Sequence, residues 1–146
     1  LAGAACFPAV NELIAAAPGE GCWWNGSRAR VSSVSSLAQS AVLTTDDRFL
    51  ERPARGVRWR SLASQAGVVR TWGDCYGYLL VATGRADLMI DPRMSVWDAA
   101  AVLPVVEEAG GRFTDWRGRA TVAAGEGVAC NEALLRQVLP LLGATV

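Results

Sequence analysis

Three aspartates in the middle of the chain, Asp74, Asp91 and Asp98, are the residues whose type and spacing best suit chemistry. Carboxylates gathered at one place can hold a hard cation such as Mg²⁺ or pair with a cationic ligand. Each also has an ordinary local reading. Asp74 follows Gly73 at the head of an apolar run and fits a helix cap, while Asp91 precedes Pro92 and fits a turn. Ser95-Val96-Trp97-Asp98 fits the capping pattern in which serine caps a first turn and the acid three residues on bonds back. Local chemistry alone favours that cap, because an acid in a first turn also gains about 0.3–1 kcal/mol from the helix dipole. Position argues the other way. All three acids fall where a strand hands over to a helix or where a helix starts, and α/β sheets build their sites at the carboxyl ends of strands.

Composition narrows the chemistry. The chain has no histidine, which removes Ser-His-Asp and Cys-His nucleophiles and every histidine-bearing zinc site. Any metal would therefore have oxygen ligands, which favours magnesium, manganese or calcium. The four cysteines, Cys6, Cys22, Cys75 and Cys130, are far apart and form no C-x-x-C pair, so they read as buried free thiols of a reducing cytoplasm. Adjacent Glu107 and Glu108 read as a solvated face at a helix end. Formal net charge is zero, and the arginines are spread out except for Arg52, Arg55, Arg58 and Arg60. That pattern suggests neither a nucleic-acid stripe nor a membrane patch. No apolar run reaches the roughly 18 residues that span a bilayer, so a soluble cytoplasmic protein is expected.

The elements that would position these acids alternate. Residues 1–10 and 12–31 read as short strands, with turns at Pro18-Gly19 and Asn25-Gly26, the second a strong hairpin dipeptide. A serine-rich stretch, SSVSSLAQS, follows as a linker or helix start, and a boundary is placed near Ser35. Residues 1–35 then form one small unit and 36–146 another. In the second, AVLTT, VVRTW, ADLMI, RFTDW and GVAC read as strands. Helical patterns lie between them, ending at Gly67, Gly84 and Gly110-Gly111, and a last helix closes the chain. Alternating strands and helices predict an α/β layered architecture with helices covering a sheet. With 51% hydrophobic side chains over 146 residues, there is ample apolar surface for such layers. Pro104 sits inside the third helical pattern and predicts a bend.

WDAAAVLPVVEEAGGRFTDWRG, residues 97–118, resembles the C-terminal signature of the inositol monophosphatase family. Trp97, Asp98, Ala100, Ala101, Glu108, Ala109, Gly110, Gly111 and Asp115 match that signature in order. The preceding RTWGDCYGYLLVATGRADLMIDPRMSVWD is similar to the branch of the family that acts on histidinol phosphate, and PGEGCWWNG to the strand and turn before the family's second domain. The resemblance implies the sugar-phosphatase fold and magnesium-dependent hydrolysis of a phosphate monoester. It implies that Asp98 ligates magnesium, that Asp91 binds the non-phosphate part of the substrate, and that Asp74 at a substrate-facing helix start adds a charge suited to a cationic substrate. Gly73, Arg70 and Trp72 are expected to line the same pocket. An inositol or related sugar phosphate is the alternative substrate.

Two further family motifs, a G-E-E and a D-P-[IL]-D-G-T run, do not occur in the chain. Its only methionines are Met89 and Met94. The expectation is therefore a C-terminal half, with most metal ligands in a preceding half, little or no activity alone, and a tendency to dimerise or to associate with that half. A non-catalytic binding or interaction module is the rival reading from another class.

Overall fold

The computed structural model describes residues 2–49 and 52–143; Leu1, at the head of the first expected strand, lies outside the described residues. The chain builds four layers, two sheets alternating with two pairs of helices. The first sheet is an antiparallel meander of β1 (Gly3–Phe7), β2 (Glu12–Ala17), β3 (Gly21–Trp24) and β4 (Ser27–Arg28). Asn25-Gly26 makes the expected tight hairpin between β3 and β4. Both residues have positive φ, 45° and 81°, as the two-residue turn that matches strand twist requires.

The second sheet is mixed, in the order β6-β5-β7-β9-β8. Its strands are β5 (Ala41–Thr44), β6 (Val68–Thr71), β7 (Leu88–Asp91), β8 (Arg112–Thr114) and β9 (Gly127–Cys130). Helices α1 (Pro53–Ala63), α2 (Asp74–Ala82), α3 (Val96–Glu108) and α4 (Glu132–Leu142) connect or follow them. β5 lies parallel to both β6 and β7, so the chain runs from β5 through α1 to one neighbour, then through α2 across to the other. α1 and α4 cover one face of this sheet, and α2 and α3 cover the other. The loops leaving β5 and β7 therefore turn to opposite faces, opening a crevice between two adjacent strand ends.

Helices α2 and α3 are also clad on their far side by the first sheet. Ile14, Ala16 and Cys22 pack against Leu79, Ala82, Val105 and Ala109. Gly3 shows how close this layer comes: a Cβ there would collide with the Ala101 carbonyl and the Pro104 ring. The ring of Pro104, expected to mark a bend, is thus buried filler against β1.

Glu108 overturns the solvated reading of the helix end. Its carboxylate accepts the backbone N–H groups of Gly19 and Gly21 at 2.9 and 2.8 Å, which clamps the β2–β3 turn to α3. Charge-assisted bonds to two backbone donors outweigh the dipole's modest penalty for an acid at a helix end. Glu107, by contrast, is exposed. Cys22 and Cys130 are buried as expected, with burial pushing their thiols up to about 11 and about 12, but Cys6 is exposed on β1. It faces outward because β1 alternates and only one face of the strand meets α3.

Glu12 ties the first sheet to α2. It accepts from Trp24 Nε1 and the Tyr76 hydroxyl, each at 2.8 Å, and forms an ion pair with Arg85, whose guanidinium lies 4.6 Å above the Trp24 ring. The Arg85 bond is the main reason its carboxyl is held at about 2, against an ordinary 4.5. A depressed folded value means that the stabilisation is present above the ordinary value and is lost as pH falls through the folded one. Glu12→Gln is therefore expected to melt below the parent at neutral pH. The gap between the two melting curves should narrow from about pH 5 and close near pH 2. A gap independent of pH would show that the bond geometry, and not the charge, carries the effect.

Candidate functional site

The crevice between the ends of β5 and β7 is a cleft of about 260 Å³. Its walls bring together Asp74, Asp91 and Asp98, supplied by the start of α2, the end of β7 and the first turn of α3. Thr45, Cys75, Tyr78 and Met94 complete most of the lining. The three acids singled out in the sequence line one cleft.

Asp91 is the deepest of them and is buried. Thr45 donates its backbone N–H to Asp91 Oδ1 at 3.2 Å across the crevice, and the Tyr78 hydroxyl donates to Oδ2 at 2.9 Å. Trp116 Nε1 donates to the Asp91 carbonyl at 3.1 Å. The residue is thus fixed at both its backbone and its side chain. Burial raises its carboxyl above the ordinary value, partly offset by the Thr45 and Tyr78 bonds, and nearby Asp74 adds to the rise. Tyr78 is fully buried, and its phenol is pushed well up by burial and by Asp91, so it remains a donor. Cys75 is pushed up as well, by burial first and then by Asp98, Asp74 and Asp91, which makes it a poor nucleophile.

Asp98 is half-buried. The expected capping box is not formed, because Ser95 makes no side-chain cap bond. Asp98 lines the cleft, and among the described residues no hydrogen bond to its carboxylate is found. Asp74 differs again. The cap position belongs to Gly73, and Asp74 is the first residue of α2 with φ of +54°, an uncommon left-handed conformation for a residue with a side chain. It is exposed at the mouth of the cleft, so it is not the cap its sequence position suggested.

Gly73, Arg70 and Trp72 do not line the cleft. Gly73 is the exposed residue before α2. Arg70 lies on β6, the outer strand, where its guanidinium donates to the neighbouring Val69 carbonyl at 2.7 Å. Trp72 is exposed and packs its ring 5.7 Å from Tyr76. Closeness in sequence misleads here, because β6 is separated from β7 by β5. Tyr78 and Thr45 carry more of the site than the sequence pointed to. Tyr78 had a readable signal: four residues after Asp74 on a helix, it occupies the same face.

The described residues hold no group of three or more His, Cys, Asp or Glu side chains placed to bind a metal ion. Asp98 suits one position in such a site, with a carboxylate free of internal bonds.

The model of the inositol monophosphatase family matches residues 1–144. A histidinol-phosphatase from Chlorobaculum parvum is 45% identical over 138 residues, which cover 94% of this chain and 53% of that protein. Another from Mycobacterium tuberculosis is 37% identical over 147 residues, covering 97% and 56%. The chain thus spans about half the length of the curated relatives it matches. Among solved structures, the extragenic suppressor protein SuhB of Bartonella henselae superposes with a TM-score of 0.91 at 26% identity, covering all of this chain and 58% of that one. An IMPase of Thermotoga maritima superposes with a TM-score of 0.86 at 28% identity, covering 97% and 55%. With its signature on α3 forming one wall of the cleft, and both sheets shared with these structures, the chain belongs to the inositol monophosphatase family.

Proposed function

We propose that this chain is the C-terminal part of a magnesium-dependent phosphate monoester hydrolase whose substrate is histidinol phosphate. The observation that carries this reading is the convergence of Asp74, Asp91 and Asp98 on one cleft. Relatives named histidinol-phosphatase support the substrate. Bound magnesium supplies Lewis acidity toward a phosphoryl oxygen and lowers the pKa of a bound water. Asp98 is the residue of this chain that would hold it, with the remaining ligands supplied from outside these 146 residues.

The other two acids face the non-phosphate part of the substrate. An amino alcohol carrying an ammonium and an ionisable imidazole meets a carboxylate at the mouth, Asp74, and another at the base, Asp91. A neutral polyol brings no cation of its own to Asp74 and Asp91, so the same pair favours the cationic substrate over inositol phosphates. Tyr78 and the Thr45 N–H hold Asp91 in one orientation for this contact.

The test is substrate preference in a protein that joins this chain to the half preceding it in longer relatives. Asp74→Ala is expected to lower kcat/KM for histidinol phosphate by about tenfold or more, as for a charged hydrogen bond, and to leave that for inositol phosphate nearly unchanged. An unchanged ratio would remove Asp74 from substrate recognition. The 146-residue chain alone serves as the control and is expected to release no phosphate from either.

A further inference from the structure

A second, larger cleft among the described residues lies elsewhere. It encloses about 680 Å³ between the first turn of α1, the loop after β8 and the end of α4, and it shares no residue with the acidic cleft. Arg52, Arg55, Arg58, Arg117 and Arg119 line it. Two acids neutralise part of this charge from behind. Glu126 pairs with Arg55 at 2.6 Å and with Arg52 at 3.3 Å, and Asp115 pairs with Arg119 at 2.7 Å. Among the described residues, five guanidinium groups face two carboxylates, an excess of three positive charges on one concave surface.

The arginines are held in place. Glu126 and Asp115 are buried. They pair with Arg55 through its Nη2 and with Arg119 through its Nε and Nη2, so each guanidinium keeps N–H groups not used in these ion pairs. Arg55 is further fixed by stacking 4.5 Å over the buried Trp116 ring. Arg58 donates to the Leu142 carbonyl at the end of α4. Arg117 has no acid partner among the described residues. The wall also includes Pro53 and Ala54, the opening residues of α1, whose first turn carries no acid and so leaves the positive end of the helix facing the cleft.

The geometry points to a second ligand site, one that takes a compact anion with two or more phosphoryl groups, such as pyrophosphate or tripolyphosphate. Planar guanidinium forks match phosphoryl oxygens bidentately, and the volume falls within the range of small-molecule pockets. The excess charge matches a multiply ionised anion better than a single phosphate. The cleft offers no aromatic surface for a base to stack on, since Trp116 is covered, so the reading favours phosphoryl groups over single-stranded nucleic acid.

Calorimetric titration of the chain at low ionic strength, in EDTA so that no metal bridges the ligand to the acidic cleft, tests this directly. Tripolyphosphate and pyrophosphate are expected to bind saturably and more tightly than orthophosphate. Arg58→Gln with Arg117→Gln should weaken tripolyphosphate by about tenfold or more. Arg136→Gln, an exposed arginine of α4 paired with Glu132, should leave it unchanged. If the double variant fails to fold, Arg117→Gln alone decides, with a loss of about threefold expected because its side chain holds no internal acid. Four results would overturn the proposal: no saturable binding, equal affinity for orthophosphate, unchanged affinity in the arginine variants, or displacement of tripolyphosphate by short duplex DNA that binds more tightly. Because no hydrolysis is read and no metal is present, the outcome is independent of the phosphatase reading.

Discussion

Asp98→Asn is expected to lower phosphate release from histidinol phosphate by about 10³-fold in the protein that joins this chain to its preceding half, with the fold intact. The loss corresponds to several kcal/mol of transition-state stabilisation from a correctly held metal ion. Asparagine keeps the size of the side chain but removes the charge and one of the two ligand oxygens. Stability should hardly change. The Asp98 carboxylate is half-buried and caps nothing, so the substitution costs only the dipole interaction, about 0.3–1 kcal/mol. Far-UV circular dichroism and melting should therefore match the parent while activity and magnesium affinity fall together. Activity within tenfold of the parent would take Asp98 out of the metal site.

Trp116→Ala is expected to have the largest effect on stability, about 3–5 kcal/mol, because it opens a cavity the size of an indole in a fully buried position. The ring packs edge-on to Phe49 at 6.0 Å and supports the Arg55 guanidinium. Its Nε1–H is also the partner of the Asp91 carbonyl, so the substitution leaves a buried acceptor unpaired beside the acidic cleft. For a chain of this length the melting temperature should fall by about 10 °C or more. Trp116→Phe should lose less, since most of the volume remains and only the hydrogen bond and the second ring go. Thermal melts followed by near-ultraviolet circular dichroism would separate the two. A parent-like midpoint for the alanine variant would mean that the core beneath the cleft collapses to fill the space.

The layered architecture was legible because it is written locally. Gly84 and Gly110 follow their helices with φ of +70° and +87°, and the strands of the second sheet read as short apolar runs. The three aspartates were legible as a group for a topological reason, since β6 and β7 both run parallel to β5 and their strand-to-helix junctions therefore lie at the same edge of the sheet. What was not legible depends on partners far along the chain. Glu108 looked solvated because its bonds reach back 89 and 87 residues to Gly19 and Gly21. Ser95 and Asp98 matched a local motif whose hydrogen bonds were not made, and Asp98 lines the cleft. Arg70 and Trp72 were misplaced by adjacency, because the strand order carries β6 to the outside of the sheet. The arginine cleft was visible only as a short cluster, Arg52 to Arg60. Arg117 and Arg119, from beyond β8, and Gly143, at the end of α4, complete it, while Arg60 takes no part.

The packing of β1–β4 on α2 and α3 also sets a schedule for synthesis. Within this chain Ile14, Ala16 and Cys22 emerge from the ribosome well before Ala109, where the helical surface that buries them ends. At translation rates of about 5–20 residues per second, the meander waits several seconds with its apolar face open. During that interval the α2–α3 surface of this chain cannot cover it, so the meander's apolar face is satisfied only once Ala109 has been added.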